Sequence, residues 1–294
     1  MTPLVNAMSV DVEDYFHASA FDRVVSRPTW PERESRVDAN TRRMLDLFDA
    51  HQVRGTFFIL GWVAARCQAL VREIAGRGHE IASHGFDHQL IYTLTREQFR
   101  EDVRRAKGVL EQSAGCAVQG YRAPSFSIVR ESLWALDVLI EEGHSYDASV
   151  FPIHHDRYGI PDAARHSQVI ERPSGSIVEV PGSTVRVGGA NWPIAGGGYF
   201  RLLPYQWTKW GIARVNAVDG EPVVFYIHPW EIDPEQPRLP VSRVTRWRHY
   251  RGLDETVSRL SQLMKDFRFD TVTASLAARG TTVAPAAARL AHAK

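Results

Sequence analysis

Apolar and polar positions along the chain follow two periods, one typical of buried strands and one typical of amphipathic helices. Residues 55–60 form a short, almost wholly apolar run that predicts a strand, whereas residues 63–77 repeat apolar positions at helical spacing. The same patterns predict further strands at residues 4–10, 80–83, 118–121, 145–147, 177–180, 223–227 and 270–273. They predict further helices at residues 40–51, 95–113, 131–142, 204–218 and 253–267.

Strands and helices therefore alternate, which favours a mainly parallel sheet. At a length of 294 residues, this alternation predicts an α/β fold, a distorted (β/α)7-8 barrel of the TIM type. We expect a single domain over residues 1–280 and a flexible, alanine-rich tail over residues 281–294. The glycine-rich segment 188–198 predicts either a surface turn or a loop that faces a substrate, and it lacks the glycine order of a nucleotide-binding loop.

The composition argues against several classes of protein. The formal net charge is +1 and there is no long basic run, so we do not expect nucleic-acid binding. No apolar run approaches the roughly 20 residues of a membrane span. The two cysteines, Cys67 and Cys116, indicate no disulfide framework. The first residues lack the pattern of a secretory signal, so we expect a cytoplasmic protein.

Polar side chains that can carry chemistry fall at the ends of five predicted strands, namely Asp11, His84, Arg122, Asp147 and His228. A parallel barrel gathers the carboxyl ends of its strands on one face, so we expect these side chains to lie close together. In an extended segment Asp11 and Glu13 point to the same side, and Val12 points to the other.

Two of the histidines, His84 and His88, are four residues apart and supply two ligands of a possible metal site. A carboxylate would complete a three-ligand site with open positions, which lowers the pKa of bound water. A second carboxylate can then accept the proton of that water, and a histidine can protonate a leaving group. Arg122 can hold the base carboxylate in a bidentate contact. The pattern therefore predicts metal-assisted hydrolysis of an amide or ester.

These residues lie in five motifs that resemble those of the polysaccharide deacetylases, carbohydrate esterase family 4, and the resemblance spans roughly residues 8–230. The motifs, in order, are SVDVED at 9–14, SHGFDH at 83–88, YRAPSF at 121–126, SYDAS at 145–149 and YIHP at 226–229. The segments at residues 11–16, 151–159 and 196–201 resemble one branch of the family, the deacetylases encoded with bacterial exosortase-linked exopolysaccharide systems.

The resemblance implies a catalytic role for three of these residues and a metal-binding role for two. Asp11 is implied as the base, Arg122 as the residue that orients it and His228 as the general acid, with His84 and His88 as metal ligands. The implied cofactor is a divalent metal ion, with zinc the expected one. The implied partner is an acetylated oligosaccharide or polysaccharide.

The first motif departs from the family pattern of two adjacent aspartates, the second of which binds the metal. Val12 occupies that second position here, and strand alternation favours Glu13 over Asp14 as the replacement ligand. The third motif has Ser125 where an aromatic residue is frequent, and its backbone N–H is a candidate donor to the oxyanion. Asp147 is a candidate for holding His228 in its tautomer, or else caps the end of its strand.

The resemblance implies a hydrolase of carbon–nitrogen bonds other than peptide bonds, which removes acetyl groups, expected to be N-acetyl, from sugars of a bacterial polysaccharide or its precursor. One alternative is a metal-independent hydrolase of cyclic amides such as ureides, which the altered first motif leaves open. Another is a carbohydrate-binding protein that has lost catalysis. The presence of both Asp11 and His228 argues against a pure binder, which needs neither an acid nor a base.

Overall fold

A computed structural model describes residues 4–281 and 283 of the chain. The strands within these residues are β1 (Asn6–Val12), β2 (Thr56–Ile59), β3 (Glu80–Ser83), β4 (Gly120–Tyr121), β5 (Tyr146–Asp147), β6 (Gln168–Arg172), β7 (Gly175–Glu179), β8 (Thr184–Val187), β9 (Ala190–Pro193), β10 (Val224–Ile227) and β11 (Phe269–Asp270). The helices are α1 (Val37–Ala50), α2 (Gly61–Arg66), α3 (Gln68–Gly76), α4 (Arg96–Ala114), α5 (Ala135–Glu141), α6 (Gly197–Leu202), α7 (Tyr205–Arg214), α8 (Arg243–Tyr250), α9 (Leu253–Asp266) and α10 (Val272–Ala278).

The main sheet follows the strand order β10-β1-β2-β3-β4-β5-β7-β6, and β11 pairs with one end of β1. Its pairs are parallel except for β6 with β7, as the predicted α/β class requires. The backbone N–H of Val224 in β10 donates to Ser183 Oγ, immediately before β8, at 2.8 Å. This bond links β10 to the segment between β7 and β8. The hairpin β8–β9 forms a second, separate sheet.

The central strands β1 and β2 are buried at every position, as expected for a parallel sheet that is covered on both faces. Both strands are short and mostly apolar, and their buried side chains form part of the hydrophobic core. Helix α4 packs against β3 and against helices α2, α3 and α5. It begins with a capping box of Thr95 and Gln98 and ends at Gly115, whose φ of 70° suits glycine. Within the described part of the chain, none of the helices combines the length and the apolar character needed to cross a membrane.

Several predicted elements differ from those observed. The helix predicted at residues 63–77 is two helices, α2 and α3, separated at Cys67, whose φ of −119° and ψ of 48° are not helical. The segment 188–198, predicted as a turn or loop, contains strand β9 and the start of α6. Strand β6 and helices α8 and α10 were not predicted. The predicted flexible tail lies outside the described residues, except for 281 and 283.

Two buried carboxyl groups, Asp147 and Glu179, face each other in the register of β5 and β7. Asp147 accepts hydrogen bonds from the hydroxyl and the N–H of Ser149, and Glu179 accepts one from the N–H of Val150 at 3.0 Å. Burial raises the pKa of Asp147 to about 6. Burial, together with the adjacent Asp147, raises the pKa of Glu179 well above its ordinary value. The pair therefore holds a proton at neutral pH.

We expect this pair to make the protein less stable as the pH rises. A carboxyl group with a raised pKa in the folded state stabilises that state below its ordinary pKa, and this contribution is lost as the pH passes through the raised value. Unfolding by urea at pH 4 to 8 should therefore show a loss of roughly 1–3 kcal/mol that Glu179→Gln largely removes. The exposed Glu171→Gln on β6 is the matched control. An unchanged pH slope in Glu179→Gln would contradict the assignment.

Candidate functional site

The parallel sheet brings most of the predicted site residues to one edge. β1 lies between β10 and β2, so Asp11 at the end of β1 is next to His228, which follows β10. His84 follows β3, and Arg122 follows β4. Their side chains meet above these strand ends, whereas the Asp147 carboxyl group points instead to its partners Ser149 and Glu179.

The turn that carries the two histidines is held by a carboxylate from helix α4. Gly85 adopts a φ of 72°, and a Cβ at this position would lie 2.9 Å from Asp102 Oδ2. That carboxylate accepts hydrogen bonds from the N–H groups of Phe86, at 2.8 Å, and Asp87, at 3.3 Å. The chain therefore reverses sharply within the motif, and the spacing of four residues places both imidazoles in the site without a helix.

Glu13, His84 and His88 form a group that could hold a metal ion, because their ligand atoms all lie within 4.8 Å of one another. His88 Nε2 lies 2.9 Å from Glu13 Oε2, and this oxygen makes no hydrogen bond within the described residues. His84 Nδ1 lies 2.8 Å from the carbonyl oxygen of Arg122, which orients the ring and leaves Nε2 toward the group. Two imidazoles and a carboxylate are a donor set that suits zinc.

The protonation states of this group also suit a metal. Burial lowers the pKa of His84 to about 4, so its imidazole is neutral at pH 7 and offers a lone pair. Burial alone would raise the pKa of Glu13, but the adjacent His88, His228 and His84 outweigh it and hold this pKa well below its ordinary value. The carboxylate is therefore ionised although it is buried.

Asp14, the other candidate ligand, has a structural role instead. Its Oδ2 accepts hydrogen bonds from Ser35 Oγ at 2.8 Å and from the N–H groups of Arg36 at 2.8 Å and Val37 at 3.1 Å. Its Oδ1 accepts from the N–H of Tyr15 at 3.0 Å. These bonds tie Asp14 to the start of α1, and Asp14 is not one of the three residues that could together hold a metal ion.

Arg122 contacts Asp11 through a single nitrogen, not through the predicted bidentate contact. Its Nη1 lies 2.6 Å from Asp11 Oδ1 and 2.9 Å from Ser9 Oγ, while Nε donates to the carbonyl oxygen of Ala148 at 3.2 Å. The guanidinium also lies 4.0 Å above the ring of Phe58. Both charged side chains are buried, so each one offsets much of the cost of burying the other.

His228 is oriented by Glu231, not by Asp147 as the sequence analysis considered. His228 Nδ1 lies 2.9 Å from Glu231 Oε2, and Glu231 Oε1 lies 2.6 Å from Arg201 Nε. His228 Nε2 is then 3.6 Å from Glu13 Oε1 and 3.9 Å from Asp11 Oδ2. Burial lowers the pKa of His228, but the surrounding carboxylates outweigh it and raise the value to about 9. The ring is therefore charged at neutral pH and can donate a proton from Nε2.

Arg201 connects Glu231, the partner of this histidine, to the end of helix α8. The guanidinium is buried, and its Nη1 donates to the carbonyl oxygens of His249 at 2.9 Å and Arg251 at 2.7 Å, where helix α8 ends. Sequence reasoning missed Glu231 and Arg201. The order His-Pro-Trp-Glu was a usable signal for Glu231, because a glutamate three residues after a strand-end histidine can reach back to it.

Ser125, the candidate oxyanion donor, lies beside the site in a strained turn. Ser125 and Phe126 both have a positive φ, 53° and 52°, which is uncommon for residues other than glycine. The Ser125 hydroxyl lies 2.6 Å from that of Ser19. A backbone held in this conformation beside an arginine–carboxylate pair is typical of functional sites, and the donor role of its N–H stays a prediction.

Comparison with known proteins gives two family matches. Residues 20–139 match the model described as polysaccharide deacetylase, and residues 148–277 match one described as a domain of unknown function (DUF3473). A peptidoglycan-N-acetylglucosamine deacetylase of Bacillus cereus is 31% identical over 98 residues, which are 33% of this chain and 36% of the relative. A chitooligosaccharide deacetylase of Rhizobium leguminosarum bv. trifolii is 29% identical over 115 residues, 39% of this chain and 49% of the relative.

The alignments thus span less than half the length of these two relatives. A crystal structure from Mycobacterium smegmatis, assigned as a polysaccharide deacetylase, superposes with a TM-score of 0.55 at 21% identity, covering 91% of this chain and 94% of that one. This likeness confirms the predicted fold. The deacetylase match includes His84, His88 and Arg122, and the predicted resemblance is confirmed at the level of the family. Residues 20–139 of the chain therefore belong to a polysaccharide deacetylase domain.

Proposed function

We propose that this protein is a metal-dependent deacetylase that removes N-acetyl groups from sugars of a bacterial polysaccharide or its precursor. The observation that carries the proposal is one buried cluster. Three of its residues, Glu13, His84 and His88, could hold a metal ion. The cluster also contains the ion pair between Asp11 and Arg122, and a His228 that Glu231 orients. The relatives named for deacetylation of peptidoglycan and of chitooligosaccharides support this substrate class.

Each residue of the cluster has its own role in the proposed hydrolysis of the amide. A divalent ion held by Glu13, His84 and His88 would polarise the acetyl carbonyl and the attacking water. Asp11, kept in place by Arg122, accepts the proton of that water as its oxygen attacks the acetyl carbon. His228 donates its Nε2 proton to the sugar nitrogen as the carbon–nitrogen bond breaks, which leaves acetate and a free amine.

The assignment to the exosortase-linked branch, the zinc ion and the cytoplasmic location belong to this proposal as predictions. Zinc follows from the donor set, and the branch follows from the quoted segments of the sequence. The ureide alternative requires catalysis without the metal, whereas the cluster provides two imidazoles and an ionised carboxylate whose ligand atoms lie within 4.8 Å of one another. We therefore favour the metal-dependent reaction.

Two substitutions distinguish the proposed ligand from its neighbour. We expect Glu13→Gln to weaken zinc binding at least about 100-fold in a competition with a chelating dye. The reason is that losing a residue that binds the metal directly costs more affinity than losing one that only orients a ligand, for which the cost is about 10- to 100-fold. Asp14→Ala should keep the zinc affinity within a few-fold but lower the free energy of unfolding by roughly 1–3 kcal/mol, since it leaves buried N–H donors without an acceptor. The reverse pattern would assign the ligand to Asp14.

Acetate release from N-acetylated chitooligosaccharides tests the reaction itself. Activity should be lost on exhaustive chelation and return with zinc, and Asp11→Asn and His228→Gln should each lower kcat about 10²- to 10⁴-fold. His51→Gln, a histidine that contacts Ser261 away from this site, is the matched control. Activity that survives chelation would favour the ureide-type hydrolase, and glycan binding without acetate release would favour the non-catalytic alternative.

The two candidate partners of His228 can be separated by activity. Glu231→Gln removes the carboxylate that holds Nδ1, so we expect kcat to fall roughly 10- to 100-fold with little change in KM, as for other groups that support a catalytic imidazole. Asp147 makes no contact with His228, so Asp147→Asn should change kcat only a few-fold. A larger loss in Asp147→Asn than in Glu231→Gln would contradict the geometry described above.

A further inference from the structure

A large cavity of about 1140 Å³ lies outside the candidate active site. Its walls come from the loop that follows β5, from the hairpin β8–β9 and from helices α6 and α7. None of the proposed metal ligands or catalytic residues lines it. Its wall residues fall within residues 152–207, inside the segment that matches the domain of unknown function. The cavity therefore belongs to the part of the chain that matches the domain of unknown function, and none of the catalytic roles proposed above uses it.

The cavity offers aromatic faces together with polar groups that have no partner. Trp192 on β9 is 51% exposed, although large apolar side chains are normally buried, and Trp207 and Tyr199 also line the cavity. Arg186 and His154 are exposed wall residues, and the side chain of neither forms a hydrogen bond or ion pair within the described part of the chain. A sugar ring has apolar C–H faces that pack on an aromatic ring and hydroxyl groups that accept hydrogen bonds from a guanidinium or imidazole.

The ring of Tyr226 lies between the cavity and the candidate active site. Tyr199, which lines the cavity, packs against the cluster that contains Tyr226, and a Cβ on Gly196 would lie 2.2 Å from this ring. On its other sides, the ring of Tyr226 lies 5.9 Å from that of His228 and 5.1 Å from that of Phe126, which follows Ser125. One layer of packed side chains thus separates the cavity from the general acid, and a glycan chain that passes over this layer would reach both.

We propose that this cavity binds sugar units of the same glycan chain whose acetylated unit reacts at the candidate active site. The inference rests on the proposed function and deepens it, because it makes the substrate a polymer of several units instead of a single sugar. It also gives the second half of the chain a role in holding the substrate. Trp192 is the residue on which the proposal depends most, since its exposed indole provides the largest open aromatic surface in the cavity.

The test measures how affinity depends on the length of the glycan. In an Asp11→Asn background, which prevents turnover, calorimetry gives dissociation constants for N-acetylated chitohexaose and for the N-acetylated disaccharide. We expect the hexasaccharide to bind at least ten-fold more tightly than the disaccharide, and Trp192→Ala to remove most of this ratio. Trp247→Ala is the matched control, because Trp247 on α8 is also 51% exposed but does not line the cavity. It should leave the ratio unchanged.

The outcomes separate this inference from the proposed function. Equal affinities for the two lengths, no measurable binding of the hexasaccharide, or a ratio that Trp192→Ala leaves intact would overturn the cavity assignment. Acetate release by the protein with Asp11 intact is measured in parallel on both glycans. If the affinity ratio of the two glycans depends on Trp192 but no acetate is released, the proposed deacetylase function is refuted and the cavity assignment stands. If acetate is released but Trp192→Ala leaves the affinity ratio unchanged, the deacetylase function stands and the cavity assignment is refuted. A thermal unfolding midpoint near that of the parent confirms that each variant is folded.

Discussion

The pairing of buried charges holds the candidate site together. Asp11, Glu13 and Arg122 are each only 2% exposed, and an isolated charge at such a position would be very unfavourable. Arg122 offsets the charge of Asp11, and three histidines surround Glu13. Two further N–H groups of Arg122 donate to Ser9 and to the carbonyl oxygen of Ala148, which fixes the guanidinium beside Asp11. The charges are therefore interdependent, and removing one leaves another buried without a partner.

This network joins parts of the chain that sequence comparison treats separately. His84, His88 and Arg122 fall in the segment that matches the polysaccharide deacetylases, whereas Asp11 and Glu13 precede it. His228 follows, within the segment that matches the domain of unknown function, and so do Glu231 and Arg201. The sheet order explains why this works, because β1 lies between β10 and β2 and so brings residues from both ends of the chain together.

The first motif holds three carboxylates, each with different contacts, and a valine at residue 12. Glu13, one residue later and one bond longer in its side chain, reaches the histidines, and Asp14 anchors the following segment. Burial also raises the pKa of both facing carboxyl groups, Asp147 and Glu179, and that of Glu179 lies well above its ordinary value. In both places burial determines which groups carry charge.

The sequence alone determined the α/β alternation, the strand-end positions of Asp11, His84, Arg122 and His228, and the preference for Glu13, because these depend on periodicity and on the direction of parallel strands. It did not reveal the break at Cys67 or helices α8 and α10, which have weak local patterns. Only the tertiary structure decided that Glu231 and not Asp147 holds His228, and that Arg201 supports it. Glu231 is only three residues from His228, so the local order His-Pro-Trp-Glu is a signal for it, although the order does not choose between Glu231 and Asp147. Arg201 is 30 residues from Glu231, and their contact depends on packing that no local pattern encodes.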